Sequence, residues 1–248
     1  MSRIFKDCEQ MIREVDRELK VSGITVPVKH YQNKELTGDS QKTKELIGVN
    51  FTISKPYLGR REMLDFIFKE DASRIEEYCR VEFEDRINRE GLNPGNSYLV
   101  RLDLWQQFMS RSDNGKFDYT YSERIHGYYP QLDNAIAALK DDINSRRAMV
   151  MIFQPMDTMQ SAGFATRIPC SISYQFLIRN NRLIIIYYTR SNDYFNHFAI
   201  DIWLAAELQS YMVSQLSSFY PDLKPGQLEY FAGSLHAYHD DISKWVIF

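Results

Sequence analysis

The chain has 248 residues, 44% hydrophobic and 14% aromatic, a composition that supports a packed core and excludes a disordered segment. A formal net charge of -3 excludes a generally basic surface, so no nucleic-acid partner is expected, while a local cationic pocket for a phosphorylated small molecule stays open. Cys8, Cys79 and Cys170 form no CxxC pair and leave an odd one over, which argues against a disulfide framework or a cysteine-rich zinc site and predicts a reducing, cytoplasmic compartment.

The length predicts a single domain over residues 1–248. The first residues carry Arg3, Lys6, Asp7 and Glu9 and do not read as a secretory signal. The longest apolar run, Leu183 to Tyr188, is too short to span a bilayer, so a soluble protein without a membrane partner is expected.

In chain order, Ile4, Phe5, Cys8, Met11, Ile12, Val15 and Leu19 recur at helical spacing and predict an amphipathic helix over 3–20. The polar, turn-rich stretch 29–46 predicts a mobile loop, and Gly48 to Ser54 a strand. A charged helix over 72–90 is broken at Gly91 to Gly95. Leu132, Ile136 and Leu139 mark another helix, and Ala148 to Phe153 a buried strand. Strands at Ile172 to Ile178 and Leu183 to Tyr188 flank the hairpin turn Arg179-Asn180-Asn181-Arg182. A long helix starts at Asp201, and Tyr230 to Tyr238 is the last strand. Strands and helices without strict βαβ alternation predict an α+β fold, a mixed β-sheet flanked by helices.

The chemistry concentrates late in the chain. Arg167-Ile168-Pro169-Cys170 precedes Thr189-Arg190-Ser191-Asn192-Asp193, and Gly233-Ser234-Leu235-His236-Ala237-Tyr238 follows. A thiol attacks only as thiolate, and a free cysteine with a pKa of about 8.5 needs nearby positive charge to ionise at neutral pH. Arg167 and Arg190 are the candidate sources. His236 and Tyr238, two apart on a predicted strand, face the same way. Read alone, Cys170 could be an inert strand cysteine, and His236 and Tyr238 could be satisfied core residues.

Taken together, Ser145-Arg146-Arg147, Pro169-Cys170, Tyr174-Gln175-Phe176, Arg190-Ser191-x-Asp193 and His236-x-Tyr238 resemble the signature of thymidylate synthases and of the related phage-type deoxycytidylate hydroxymethylases. The resemblance runs from about residue 118 to 240. It implies a thymidylate-synthase-like fold and a homodimer packed through the sheet. It also implies covalent catalysis, with Cys170 adding to C6 of a pyrimidine monophosphate and 5,10-methylenetetrahydrofolate as one-carbon donor.

By the same resemblance, Arg190 and Ser191 bind phosphate, and Arg146 and Arg147 are lent to the partner's site. His236 and Tyr238 bond the sugar hydroxyl, Asp193 and Trp105 belong to the folate side, and Tyr121 is an active-site tyrosine. The family's general-acid glutamate has Glu76 or Glu77 as its nearest counterpart. Its mobile-loop arginine has none, leaving Lys34, Lys42 or Lys44 as substitutes. Ser171 follows the nucleophile where synthases usually carry histidine.

The resemblance also implies one position that reads the base. Eleven residues after the phosphate-binding arginine, synthases place an asparagine that complements uracil; this chain has Asp201, as the cytidylate hydroxymethylases do. A carboxylate accepts from the cytosine N4 amino group, and a protonated carboxyl donates to N3. The alternative use of Asp201 is as a helix N-cap. The sequence therefore predicts a dCMP or CMP 5-hydroxymethyltransferase. The rivals are a thymidylate synthase or dUMP hydroxymethylase and, from another class, a non-catalytic nucleotide or RNA binder of the same fold.

Overall fold

The computed structural model describes residues 3–31, 34–110, 115–127, 129–160, 167–242 and 245. The strands are β1 (Arg3–Phe5), β2 (Ile24–Pro27), β3 (His30–Tyr31), β4 (Lys34–Glu35), β5 (Lys42–Ile53), β6 (Met149–Met151), β7 (Ser171–Arg179), β8 (Arg182–Asp193) and β9 (Lys224–Tyr238). The α-helices are α1 (Cys8–Ser22), α2 (Arg60–Phe68), α3 (Ala72–Ile87), α4 (Ser97–Val100), α5 (Leu102–Trp105), α6 (Tyr121–His126), α7 (Gln131–Asp141), α8 (Pro155–Gln160), α9 (Ala199–Leu216) and α10 (His239–Ile242).

Among the described residues, seven strands make one mixed sheet in the order β1-β5-β9-β8-β7-β6, with β2 also paired to β5. The β1–β5 and β8–β9 pairs are parallel. The β5–β9, β7–β8 and β6–β7 pairs are antiparallel. Asn180 and Asn181 make the β7–β8 turn with φ of 50° and 53°, the left-handed conformation that a tight hairpin demands and that Asn tolerates.

The period-two alternation of the strands separates two faces. Phe51, Tyr174, Phe176, Ile185, Tyr187 and Tyr230 are fully buried beneath α1, α3 and α9, and α9 is apolar nearly all round its circumference. The opposite face is apolar as well, yet open: Ile47 is 67% exposed, Phe231 38% and Met151 39%. Tyr188 stacks on Phe231 there at 5.2 Å between ring centroids.

Several sequence expectations change. Residues 3–20 are not one helix. The Asp7 carboxylate caps α1 by accepting from Gln10 N–H at 3.0 Å, and the residues before it pair as β1 with Phe51–Ile53. The stretch 29–46 is not a loop throughout, because His30–Tyr31 pairs with Lys34–Glu35 and β5 already begins at Lys42. A π-helical turn, Tyr194–Phe198, leads directly into α9, so Asp201 lies inside the helix rather than at its N-cap, which is Phe198. The hairpin strands are longer than expected at both ends, and the last strand begins earlier, at Lys224, and ends at Tyr238 as expected. The expected strand over 148–153 is confined to Met149–Met151. No described helix is long and apolar enough to cross a membrane.

Candidate active site

A cavity of about 420 Å³ opens above the amino end of β7 and the carboxyl ends of β8 and β9, and Cys170, Arg190, Ser191, Asp193, Asp201, His236, Tyr238, Tyr121 and Trp105 all line it. The sequence-assigned residues thus converge from β8, β9, α5, α6 and α9 on one concavity. Gly233 lets β9 run close to β8 here, since a Cβ at that position would stand 2.7 Å from the Arg190 carbonyl oxygen.

Cys170 sits at the entrance to β7, partly exposed. Arg190 fixes this approach: its Nε donates to Pro169 O at 2.9 Å and its Nη2 to Ile168 O at 3.1 Å, while Nη2 lies 3.8 Å from Cys170 Sγ. Ser191 Oγ is 3.7 Å from the same sulfur. A thiol flanked by a guanidinium and a hydroxyl is placed for thiolate chemistry. Cys8 and Cys79 are not: burial pushes the Cys8 thiol up to about 12 and raises that of Cys79 further. Arg167 also lines the cavity, but its guanidinium lies among rings, 4.9 Å from Trp105 and 5.1 Å from Tyr119.

The floor of the cavity is polar and buried. Asn192 donates from Nδ2 to Asp201 Oδ2 at 3.2 Å and to Tyr230 OH at 3.1 Å. Burial raises the Asp201 carboxyl to about 6, against the opposing pull of Arg86. A carboxyl that titrates there can both accept and donate near neutral pH. Ser171 Oγ bonds Tyr121 OH at 2.8 Å and Tyr187 OH at 2.6 Å, so Ser171 anchors a hydroxyl chain beside Cys170.

His236 pairs with Ser234 Oγ at 3.2 Å through Nδ1. Burial, helped by Arg190, lowers the imidazole to about 4, leaving it neutral at pH 7. Asp193 accepts from Phe195 N–H and Asn196 N–H, both at 3.2 Å, and so caps the π-helical turn while facing the cavity. The far arm is aromatic, walled by Tyr31, Trp105, Phe108, Phe117 and Tyr119, with the Trp105 Nε1–H donating to Tyr78 OH at 3.2 Å.

Not every expected contributor lines the cavity of this chain. Glu76 and Glu77 do not line the cavity: Glu76 pairs with Arg61 and Arg80 on the outer side of α3, and Glu77 is exposed toward Arg80. The helix brings Glu82 inward instead, where it accepts from Ser97 Oγ at 2.8 Å and from Arg86 Nε at 2.8 Å. Arg146 and Arg147 are exposed and outside the cavity of their own chain. Gln175, on the open sheet face, donates to Arg146 O at 3.0 Å, which places this arginine segment at the rim of that face.

Lys42 and Lys44 lie on β5 away from the cavity, with Lys44 donating to Lys20 O; the Lys34 side chain lies outside the described residues. Sequence reasoning missed Glu82, Arg86, Tyr31 and His197 as cavity residues. The available signal was the one-turn spacing Tyr78, Glu82, Arg86 on the buried side of α3.

The sequence profile of the thymidylate synthase family matches residues 94–246. A Methanosarcina barkeri protein bearing a provisional thymidylate synthase name is 26% identical over 140 residues, 55% of this chain and 60% of the relative. One from Methanothermobacter thermautotrophicus is 28% identical over 148 residues, 56% and 62% of the two chains. The deoxycytidylate 5-hydroxymethyltransferase of Enterobacteria phage T6 is 26% identical over 203 residues, 79% and 76% of the two chains. The match spans about three fifths of the length of the archaeal relatives.

Proposed function

Because the chain belongs to the thymidylate synthase family, we propose that it is a homodimeric cytidine monophosphate 5-hydroxymethyltransferase, acting on dCMP or CMP with methylenetetrahydrofolate as donor. The observation that carries the cytidylate reading is Asp201, buried on the cavity floor and held by Asn192. A uracil edge presented to this carboxylate would leave polar groups unpaired in a dry pocket, which costs on the order of 1–3 kcal/mol. The phage relative, named for deoxycytidylate, is in keeping with this.

Cys170 adds to C6 of the pyrimidine, giving C5 the electron density to form a carbon–carbon bond. Arg190 and Ser191 hold the phosphate, and the neutral His236 with Tyr238 bonds the sugar hydroxyl. Asp201 accepts from N4 and, when protonated, donates toward N3. Glu82, which reaches the cavity where Glu76 and Glu77 do not, carries protons to and from the reacting edge, with the Tyr121–Ser171 chain beside it.

The aromatic arm suits a planar heteroaromatic donor, and Arg167 Nε, buried there without a hydrogen-bond partner among the described residues, offers it a donor. Methylenetetrahydrofolate bound in that arm supplies a one-carbon unit at the oxidation level of formaldehyde. Loss of the C5 proton would release tetrahydrofolate, water rather than hydride would add to the methylene left on C5, and the Cys170–C6 bond would then break to return the thiolate.

The dimer reading rests on the open apolar sheet face with Arg146 and Arg147 at its rim. A second copy on that face would cover Ile47, Met151 and Phe231 and carry its two arginines toward the neighbouring cavity. Incubation with labelled methylenetetrahydrofolate and each of dCMP, CMP and dUMP, followed by mass analysis, tests the function. A gain of CH2O on a cytidylate is expected. A gain of CH2 on dUMP would make the protein a thymidylate synthase, and no product would favour a binder.

A further inference from the structure

Arg86 is a largely buried cation that touches the site from below and has no part yet in the proposed chemistry. It projects from α3 one turn after Glu82, and its Nε donates to Glu82 Oε1 at 2.8 Å. Its Nη1 donates to Tyr174 OH at 3.4 Å, and its Nη2 stands 4.0 Å from Asp201 Oδ1 on α9. The guanidinium lies 4.0 Å over the Tyr121 ring, whose hydroxyl bonds Ser171. One planar fork thus spans two carboxylates from two helices, a tyrosine on β7 and the face of another on α6. Lys could not reproduce this arrangement, because its ammonium is a point donor.

We propose that Arg86 is a positioning residue that ties the proton-carrying Glu82 to the base-facing Asp201, so that the two carboxyl groups act as one coupled unit beneath the pyrimidine. This rests on the roles proposed above for those two carboxyls. Two carboxylates share one cation, and a lone buried carboxylate is costly without a partner. The closer bond goes to Glu82, so Asp201 receives the weaker share and retains a proton more readily.

The groups facing this cluster leave Asp201 as the part that titrates near neutral pH. Cys79 and Tyr78 on α3, Tyr121 on α6, Tyr174 on β7, Tyr187 on β8 and Tyr230 on β9 are all raised by burial. His197, on the π-helical turn, is lowered well below the usual imidazole range by burial and by the surrounding arginines, Arg86 among them.

The test pairs carboxyl-carbon NMR titration of the ligand-free protein with pH profiles of kcat/KM, for the parent, Arg86→Lys and Arg86→Met. The Asp201 midpoint, near 6 in the parent, should rise by about one unit or more in Arg86→Met, where the cation is gone. In Arg86→Lys it should stay within about half a unit, while kcat falls roughly tenfold or more and KM changes little, because charge is kept and the fork is lost. A packing role alone would not move the Asp201 midpoint. An unmoved midpoint in folded Arg86→Met overturns the proposal. If Arg86→Met does not fold, parental kcat in Arg86→Lys does the same. The NMR titration needs no nucleotide, so failure of the cytidylate reading, seen as no turnover by the parent, is separable from failure of the coupling.

Discussion

Arg190 Nη2 stands 3.8 Å from Cys170 Sγ while the same guanidinium clamps the carbonyls of Ile168 and Pro169. One side chain therefore fixes where the thiol sits and supplies the positive charge beside it. Cys8 and Cys79 have no such setting and are buried. Iodoacetamide at pH 7 should consume Cys170 at least about tenfold faster than either of them, as read by peptide mass mapping. Cys170→Ala should abolish turnover and leave nucleotide binding largely intact. Equal alkylation of Cys8, or full activity in Cys170→Ala, would count against the nucleophile.

Glu82 faces the cavity and Glu76 does not, although the two lie on one helix. Glu82→Gln retains an acceptor for Arg86 and Ser97 but cannot carry a proton, so kcat should drop by about 100-fold or more. Glu76→Gln, which only alters a pair with Arg61 and Arg80, should change kcat by less than about twofold. Steady-state kinetics on both variants decides, and the reverse pattern would restore Glu76 as the acid.

Asp201 also has a stability signature. Its folded carboxyl titrates near 6 against an ordinary value of 3.8 because burial disfavours the charge. The native state therefore binds more protons than the unfolded chain between about pH 4 and pH 6, so this group's contribution becomes less favourable as pH rises through that window and stays level above it. The deficit at pH 7 is on the order of 2–3 kcal/mol. Asp201→Asn removes the charge, so it should raise the urea midpoint at pH 7.5 and lose that advantage near pH 4. A variant less stable than the parent at pH 7.5 would contradict the desolvation account.

Arg146 and Arg147 are exposed in their own chain, and the proposed dimer gives them a destination. Inactive Cys170→Ala mixed with inactive Arg146→Ala/Arg147→Ala should regain activity, since a heterodimer holds one site with both the thiol and the two arginines. Absence of complementation in a verified heterodimer would mean that these arginines do not act across the interface.

The sequence made much of the proposed catalytic site legible because most of its residues lie on or beside regular elements. Arg190, His236 and Tyr238 sit at strand positions whose alternation fixes their direction, Cys170 immediately precedes β7, and their motifs fall within the family's matched region. The less legible parts depend on tertiary contacts. Whether Glu76 or Glu82 faces inward is set by how α3 packs on α9, and both stand in a helix with charges on every side. The strand β1 could not be separated from the helix after it, since Ile4 and Phe5 fit either period until pairing with β5 selects one. The entry to α9 lies earlier than expected because Asp is a good N-cap in sequence, whereas the π-helical turn Tyr194–Phe198 starts the helical path ahead of Asp201.

The central claim is that Asp201 reads a cytosine. Its most direct test is kcat/KM for dCMP, CMP and dUMP with the parent and with Asp201→Asn. An amide both donates and accepts where uracil needs it, so the account predicts that preference moves from cytidylate toward dUMP by about tenfold or more, roughly 1.4 kcal/mol in transition-state discrimination. An unchanged preference for the cytidylate in a folded Asp201→Asn protein would contradict it.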